Sequence, residues 1–192
     1  RGLRAIILTG TIFEPDEGEG SQPLRAFSPY GLSKNLTYQF FRHYCGEARV
    51  QLGKFVMPNP FGPFEEPRFT AYLMQCWKNN EIAEIKTPDY VRDNIHVDLL
   101  ALAYAKFVER TKASKETLLK TNPSGYVEKQ GEFARRVARE IKVRLGWACE
   151  LNLARQTDFS EPHTRHNAEQ VAAVESAWHE GAAWDAFAKF YA

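Results

Sequence analysis

"SPYGLSK", Ser28 to Lys34, follows the apolar run "AIILTG" of residues 5–10 across a loop rich in glycine, proline and acids. The run has the length and composition of a buried strand. Ser-Pro marks a helix start. Ser28 can accept from an orphan backbone N–H as N-cap, and Pro29 suits the first helical position, where its missing N–H costs nothing. Tyr30 and Lys34 then lie one turn apart on one face. An amine beside a phenol favours the phenolate, so the pair has the make-up of an acid–base catalyst working near neutral pH. The same spacing also suits a plain amphipathic surface helix, and the rest of the chain has to separate the two.

Working outward, strands and helices alternate. The helix from Pro29 carries Leu36, Phe40, Phe41 and Tyr44 at helical spacing and is expected to stop at Gly46. "RVQLGKFVM" (49–57) reads as a second buried strand running into the proline-rich loop "PNPFGPFEEPRF" (58–69). "FTAYLMQCWKNN" (69–80) has a helical pattern closed by Asn79 and Asn80, and "EIAEIKTPDYVRDNIHV" (81–97) contains two short strand-like pieces around a turn. "DLLALAYAKFVERTKA" (98–113) is a helix with Asp98 as the expected N-cap. "TLLKTN" (117–122) is strand-like, and "GEFARRVAREIKVRLG" (131–146) is an amphipathic helix capped by Gly146. Residues 150–167 look extended and loop-like, and "GAAWDAFAKFYA" (181–192) is an aromatic-rich helix suited to packing on a neighbour. This alternation indicates an α/β fold with a largely parallel sheet.

The bulk numbers narrow the function. Lys and Arg total 25 against 24 Asp and Glu, and no block of one sign stands out, so neither nucleic acid nor an anionic membrane is expected as a partner. The arginines of 131–146 are interrupted by Glu132 and Glu140 and read as a solvated helix face. Cys45, Cys76 and Cys149 are odd in number and far apart, without metal-ligand spacing or the look of a disulfide framework. They read as small buried hydrophobes in a reducing, cytoplasmic setting, with no metal expected. No apolar run approaches the ~20 residues of a membrane span.

Taken in order, "AIILTGTIFE", "SPYGLSK", "MPNPFGP" and "YVRDNIHVDLLALAYAKFVE", with a weaker match in "TNPSGYVEKQGEFARRVAREI", make the chain resemble the extended short-chain dehydrogenase/reductase family. These are NAD(P)-dependent sugar-nucleotide epimerases, dehydratases and reductases. The resemblance implies the C-terminal part of a Rossmann-type parallel sheet with a small substrate-binding lobe. Residues 1–58 would end the dinucleotide-binding domain and carry the catalytic helix. Residues 59–192 would be mostly the substrate lobe, with 85–125 returning to the sheet. Tyr30 would be the general acid/base, and Lys34 would assist it while binding the nicotinamide ribose of NAD or NADP. Thr9 would be the catalytic hydroxyl, with Thr11 a nearby competitor placed to bind substrate. Pro58 would pack behind the nicotinamide. Asn59 and Arg92 would bind the nucleotide-linked sugar, Arg92 as a forked cation on phosphate, although it also has Asp93 and Asp98 within reach in sequence. The resemblance further implies a homodimer paired through the tyrosine-bearing helix and its neighbour.

Departures from the family pattern sharpen the chemistry. Where 4,6-dehydratases place Asp and Glu after the threonine, this chain has Gly10 and Thr11, and the decarboxylases' nearby glutamate is also missing. What remains is the minimal set for hydride transfer with one acid/base, as in an epimerase or keto-sugar reductase. Lys54 stands near where relatives carry an arginine, and Glu14 replaces a common glycine. The glycine-rich dinucleotide turn is not found; Gly18 and Gly20 sit among acids that would repel a pyrophosphate. The expectation is therefore that an N-terminal half, in the same or a separate chain, completes the cofactor site. The alternative is a non-catalytic scaffold or assembly subunit that keeps the fold without the chemistry.

Overall fold

The computed structural model describes residues 2–21, 24–26, 28–172 and 176–192. Residues 22, 23 and 27 of the expected loop before Ser28 lie outside it. From the N-terminus, β1 (Ala5–Thr11) leads to the two-residue β2 (Glu19–Gly20) and the long α1 (Pro29–Ala48). Next come β3 (Gln51–Met57), β4 (Asn59–Phe61), α2 (Phe69–Lys78), β5 (Ala83–Ile85), β6 (Val91–His96) and α3 (Val97–Ala113). Then β7 (Leu118–Thr121), β8 (Pro123–Ser124) and β9 (Tyr126–Lys129) run into α4 (Gln130–Leu145). β10 (Leu151–Leu153), β11 (Thr164–His166), β12 (Glu169–Gln170) and α5 (Glu180–Tyr191) follow.

The fold is α/β, as its alternation indicates. β1, β3 and β7 form a parallel sheet in which Thr9 pairs with Phe55 and Thr11 with Met57. α3 supplies Leu99, Leu100, Ala103 and Phe107 to a core shared with Phe55 of β3 and Leu119 of β7. A second core lies away from that sheet, where Leu73 and Trp77 of α2 meet Phe133, Val137 and Ile141 of α4 and Trp184 and Phe187 of α5. Between the two cores runs a mixed sheet in which β6 pairs in parallel with β4 and β11 and antiparallel with β9. The C-terminal ends of β1 and β3 thus open toward this second layer, where open α/β sheets place their ligands.

Three local expectations change. α1 continues past Gly46 and ends at Ala48, with Arg49 in the left-handed region (φ 53°) as its cap. The Arg49 N–H bonds the Gly46 carbonyl at 3.3 Å, and Val50 N–H bonds the Cys45 carbonyl as the chain turns into β3, so this tertiary entry sets the stop. α3 starts at Val97 with His96 as N-cap, because β6 runs straight into the helix and the His96 ring accepts the Asp98 N–H. The stretch 150–167 holds two short strands, β10 and β11, paired with β5 and β6. All three cysteines are buried and free, and no helix among the described residues is long and apolar enough to cross a membrane.

Candidate active site

The start of α1 sets the geometry. Ser28 is extended, and its hydroxyl accepts the Gly31 N–H at 3.2 Å, fixing the first turn. Gly31 then lies hard against the loop after β1: a Cβ there would stand 2.1 Å from the Phe13 carbonyl oxygen. Only glycine allows so close an approach. The contact brings Tyr30 beside Thr11 and Phe13 at the mouth of a cavity of about 480 Å³, closed on its other sides by Pro58, Asn59, Glu65 and Arg68. Tyr30 stays half exposed there, while Thr11 is buried.

Lys34 sits one turn on. Its Nζ donates to the Thr9 carbonyl at 3.1 Å and lies 5.9 Å from the Tyr30 ring centroid. Thr9 and Lys34 share a smaller groove of about 170 Å³ with Gly10, Glu14, Tyr38 and Lys54. Tyr30, Thr11, Pro58 and Asn59 are therefore brought into one cavity, whereas Thr9 and Lys34 line the separate smaller groove and are joined through the Thr9 main-chain carbonyl. Arg92 is elsewhere. It lines two further cavities and is already engaged: its guanidinium donates to the carbonyls of Val91, Pro162 and His163 and to Glu161 at 2.9 Å, and stacks 4.4 Å over the Tyr90 ring. Glu161, rather than Asp93 or Asp98, is its acidic partner.

The structure also accounts for Glu14. Its carboxylate is fully buried, takes the Thr11 N–H at 2.8 Å through Oε1, and meets buried Lys54 at 2.5 Å through Oε2. Lys54 completes its bonding with Glu17 at 2.8 Å and the face of Tyr38 at 4.1 Å. Lys54 is thus used inside the protein, holding the turn that carries Thr11 rather than reaching the cavity that Tyr30 lines. A glutamate where relatives have glycine is the sequence signal, but its partner lies 40 residues away. Glu65 and Arg68 carry no such signal and join the site only through the fold. Burial pushes the Glu65 carboxyl above its ordinary value, opposed by hydrogen bonds from Thr70 and Tyr191.

Residues 7–119, more than half the chain, match the NAD dependent epimerase/dehydratase family. The chain belongs to that family. Solved structures support the same fold at low identity. UDP-glucose 4-epimerase from Thermus thermophilus, complexed with NAD, aligns at 18% identity and TM-score 0.68, covering 98% of this chain and 64% of that one. UDP-glucuronic acid 4-epimerase from Bacillus cereus, as a tyrosine-to-phenylalanine mutant in complex with UDP-4-deoxy-4-fluoro-glucuronic acid and NAD, aligns at 13% identity and TM-score 0.69, covering 96% of this chain and 60% of that one. UDP-glucose-4-epimerase from Stenotrophomonas maltophila, with NAD and formylated UDP-arabinopyranose, aligns at 14% and 0.72, covering 98% and 63%. The chain thus spans a little over three fifths of these relatives. No curated protein sequence matches it.

Proposed function

We propose that this member of the epimerase/dehydratase family carries the acid/base residues and substrate pocket of an NAD(P)-dependent epimerase or keto-sugar reductase acting on a nucleotide-linked sugar. The observation that carries the reading is the shared cavity. Tyr30, Thr11 and Asn59 face one space, with Lys34 one helical turn behind the tyrosine. Tyr30 takes the proton of a sugar hydroxyl as its carbon is oxidised and returns it when the ketone is reduced. Lys34 steadies the negative charge that develops on the phenol oxygen. Thr9 hands the proton between sugar oxygen and Tyr30, while Thr11 and Asn59 hold the sugar.

The residues fit the nicotinamide end of NAD or NADP. Lys34 offers an exposed ammonium to a ribose hydroxyl beside the half-exposed Tyr30, and Pro58 offers an apolar wall. When bound, that cofactor supplies the hydride acceptor. Among the described residues no glycine-rich strand-to-helix turn is present to take its pyrophosphate. Among them, too, β1 is paired only on its β3 side, with Ala5 to Leu8 partly exposed. Parallel sheets are normally covered and continued, so we propose that further strands, from the same or a separate chain, complete the sheet and the cofactor site. Free, buried cysteines suit work in the cytoplasm.

A homodimer is part of the same reading. Leu32, Leu36, Phe40 and Tyr44 fall four apart along α1 and are all exposed, about half of each side chain or more. Such a stripe is what a second copy's helix would cover. The test of the enzymatic reading is turnover of a nucleotide-linked sugar by the whole gene product with Tyr30→Phe. Retained full turnover in the variant would remove Tyr30 as the acid/base, and no turnover in wild type with cofactor and substrate bound would leave the non-catalytic scaffold as the better reading.

A further inference from the structure

The turn that leaves β4 is built with an unfavourable residue. The Glu65 N–H returns to the Gly62 carbonyl at 3.4 Å, which puts Pro63 and Phe64 at the centre of a four-residue turn. Pro63 suits the first central position, where φ is already set by its ring. Phe64 holds the second with φ 63°, a left-handed conformation that such a turn normally gives to glycine or asparagine. A bulky side chain is a backbone outlier there. Phe64 is also 87% exposed, the most of any large apolar side chain among the described residues. Strain and exposure both count against it, and glycine would remove both. Its ring meets Phe190 of the last turn of α5 at 4.7 Å between centroids, but Phe190 is itself 41% exposed, so this is an open stack at the surface and not a core contact. Backbone strain kept at such a position points to a use in function.

The turn is held on both shoulders. Gly62 lies so close to the start of α3 that a Cβ there would stand 2.5 Å from Val97 Cγ1. On the other side the Glu65 carboxylate accepts from the Thr70 hydroxyl and, at 3.1 Å, from the Tyr191 hydroxyl. Phe64 is thereby fixed at the wall of the same cavity of about 480 Å³ that Tyr30, Thr11 and Asn59 line. Those three offer polar groups to sugar hydroxyls. A pyranose ring also carries C–H groups, whose apolar surface gains by leaving water. A flat aromatic face answers them, because it covers apolar area without demanding a hydrogen bond.

We propose that Phe64 is the apolar platform of the sugar subsite, covering the C–H face of the sugar ring while Tyr30 works on its hydroxyl. This rests on the nucleotide-sugar reading above. Phe64 moves no proton; it binds the sugar, and the strain of its turn is kept because a glycine or asparagine in its place has no ring to offer.

The test is calorimetric titration of the natural full-length protein with UDP-glucose, dTDP-glucose, UDP, dTDP and NAD. Wild type is compared with Phe64→Gly, Phe64→Asn and Phe64→Tyr, and the melting temperature of each free protein is recorded. The glycine and asparagine variants are expected to bind the two sugar conjugates about tenfold more weakly, as loss of part of an aromatic contact area implies. Their affinity for UDP, dTDP and NAD stays unchanged, and their melting temperatures hold or rise because both residues accept a left-handed φ. Phe64→Asn keeps the turn, so a loss shared by both variants does not come from a looser backbone. Phe64→Tyr, which keeps the ring, binds as wild type. Unchanged affinity for the sugar conjugates in Phe64→Gly overturns the platform and leaves the Tyr30 reading standing. A loss equally large for the plain diphosphates or for NAD puts the ring against another group and also overturns it. Failure of wild type to bind either sugar conjugate overturns both readings.

Discussion

Lys54 of β3 and Glu14 of the loop after β1 meet at 2.5 Å with both side chains almost wholly buried. Because the other Glu14 oxygen takes the Thr11 N–H, this ion pair ties the sheet to the turn that lines the Tyr30 cavity. Lys54→Met leaves Glu14 buried without its cation, while Glu17 keeps Lys120 at 3.1 Å, and breaking a buried pair of this kind costs about 3 kcal/mol or more. Denaturant unfolding of Lys54→Met, Glu14→Gln and the double variant checks this. The double variant is expected to be less destabilised than the sum of the singles, because the two groups act on each other. Strict additivity would mean that the pair is not coupled.

Thr9 and Thr11 lie on the same face of β1 but have different surroundings. Thr9 is exposed beside Lys34, and Thr11 is buried at the cavity wall. Thr9→Val is expected to lower kcat about tenfold with KM unchanged, and Thr11→Val to raise KM by a similar factor, each the loss of one hydrogen bond. Steady-state kinetics on both variants separates the roles. The opposite pattern would exchange them.

His96 ties stability to pH. It is 2% exposed, and burial pulls its pKa below 6.5, with Asp98 opposing more weakly. The unfolded chain therefore takes up a proton before the folded one, so stability falls as pH drops below about 6.5 toward the lowered folded value. Asp93 acts in the other sense. Burial holds its carboxyl above 3.8 against the Gly125 and Asn167 N–H groups, so its protonation in acid favours the folded state. Thermal melts from about pH 7.5 to about pH 5 should show a falling midpoint that flattens in His96→Gln. An equally steep fall in the variant would remove His96 as the cause.

The α1 stripe gives a direct handle on assembly. Phe40→Glu, in the middle of Leu32, Leu36, Phe40 and Tyr44, places a charge on the face proposed above to meet a second copy, and on that proposal it converts a dimer to a monomer. The position is exposed, so the fold should be unaffected. Sedimentation equilibrium checks it, and an unchanged mass would mean that the stripe is not the interface.

What is legible in the sequence is local. Ser28-Pro29 announces α1, Gly146 closes α4, and the apolar runs of β1 and β3 are readable because their patterning lies within each element. The stop of α1 at Arg49 and the His96 cap of α3 are not, since each depends on how the adjacent strand meets the helix. Side-chain partners across long separations are also hidden. Glu14 reaches Lys54, and Arg92 reaches Glu161 across 69 residues. Read alone, neither Lys54 nor Arg92 shows the acid that folding brings to it.

The most direct test of the central claim is the turnover of a nucleotide-linked sugar by the natural full-length protein with NAD or NADP, wild type against Tyr30→Phe, with substrate binding measured on the same samples. Removing one general acid/base typically costs about a hundredfold or more, so Tyr30→Phe is expected to lose at least that factor in kcat while binding substrate as before. Full turnover in the variant, or none in wild type with cofactor and substrate both bound, would contradict the assignment of Tyr30 as the proton-transfer residue.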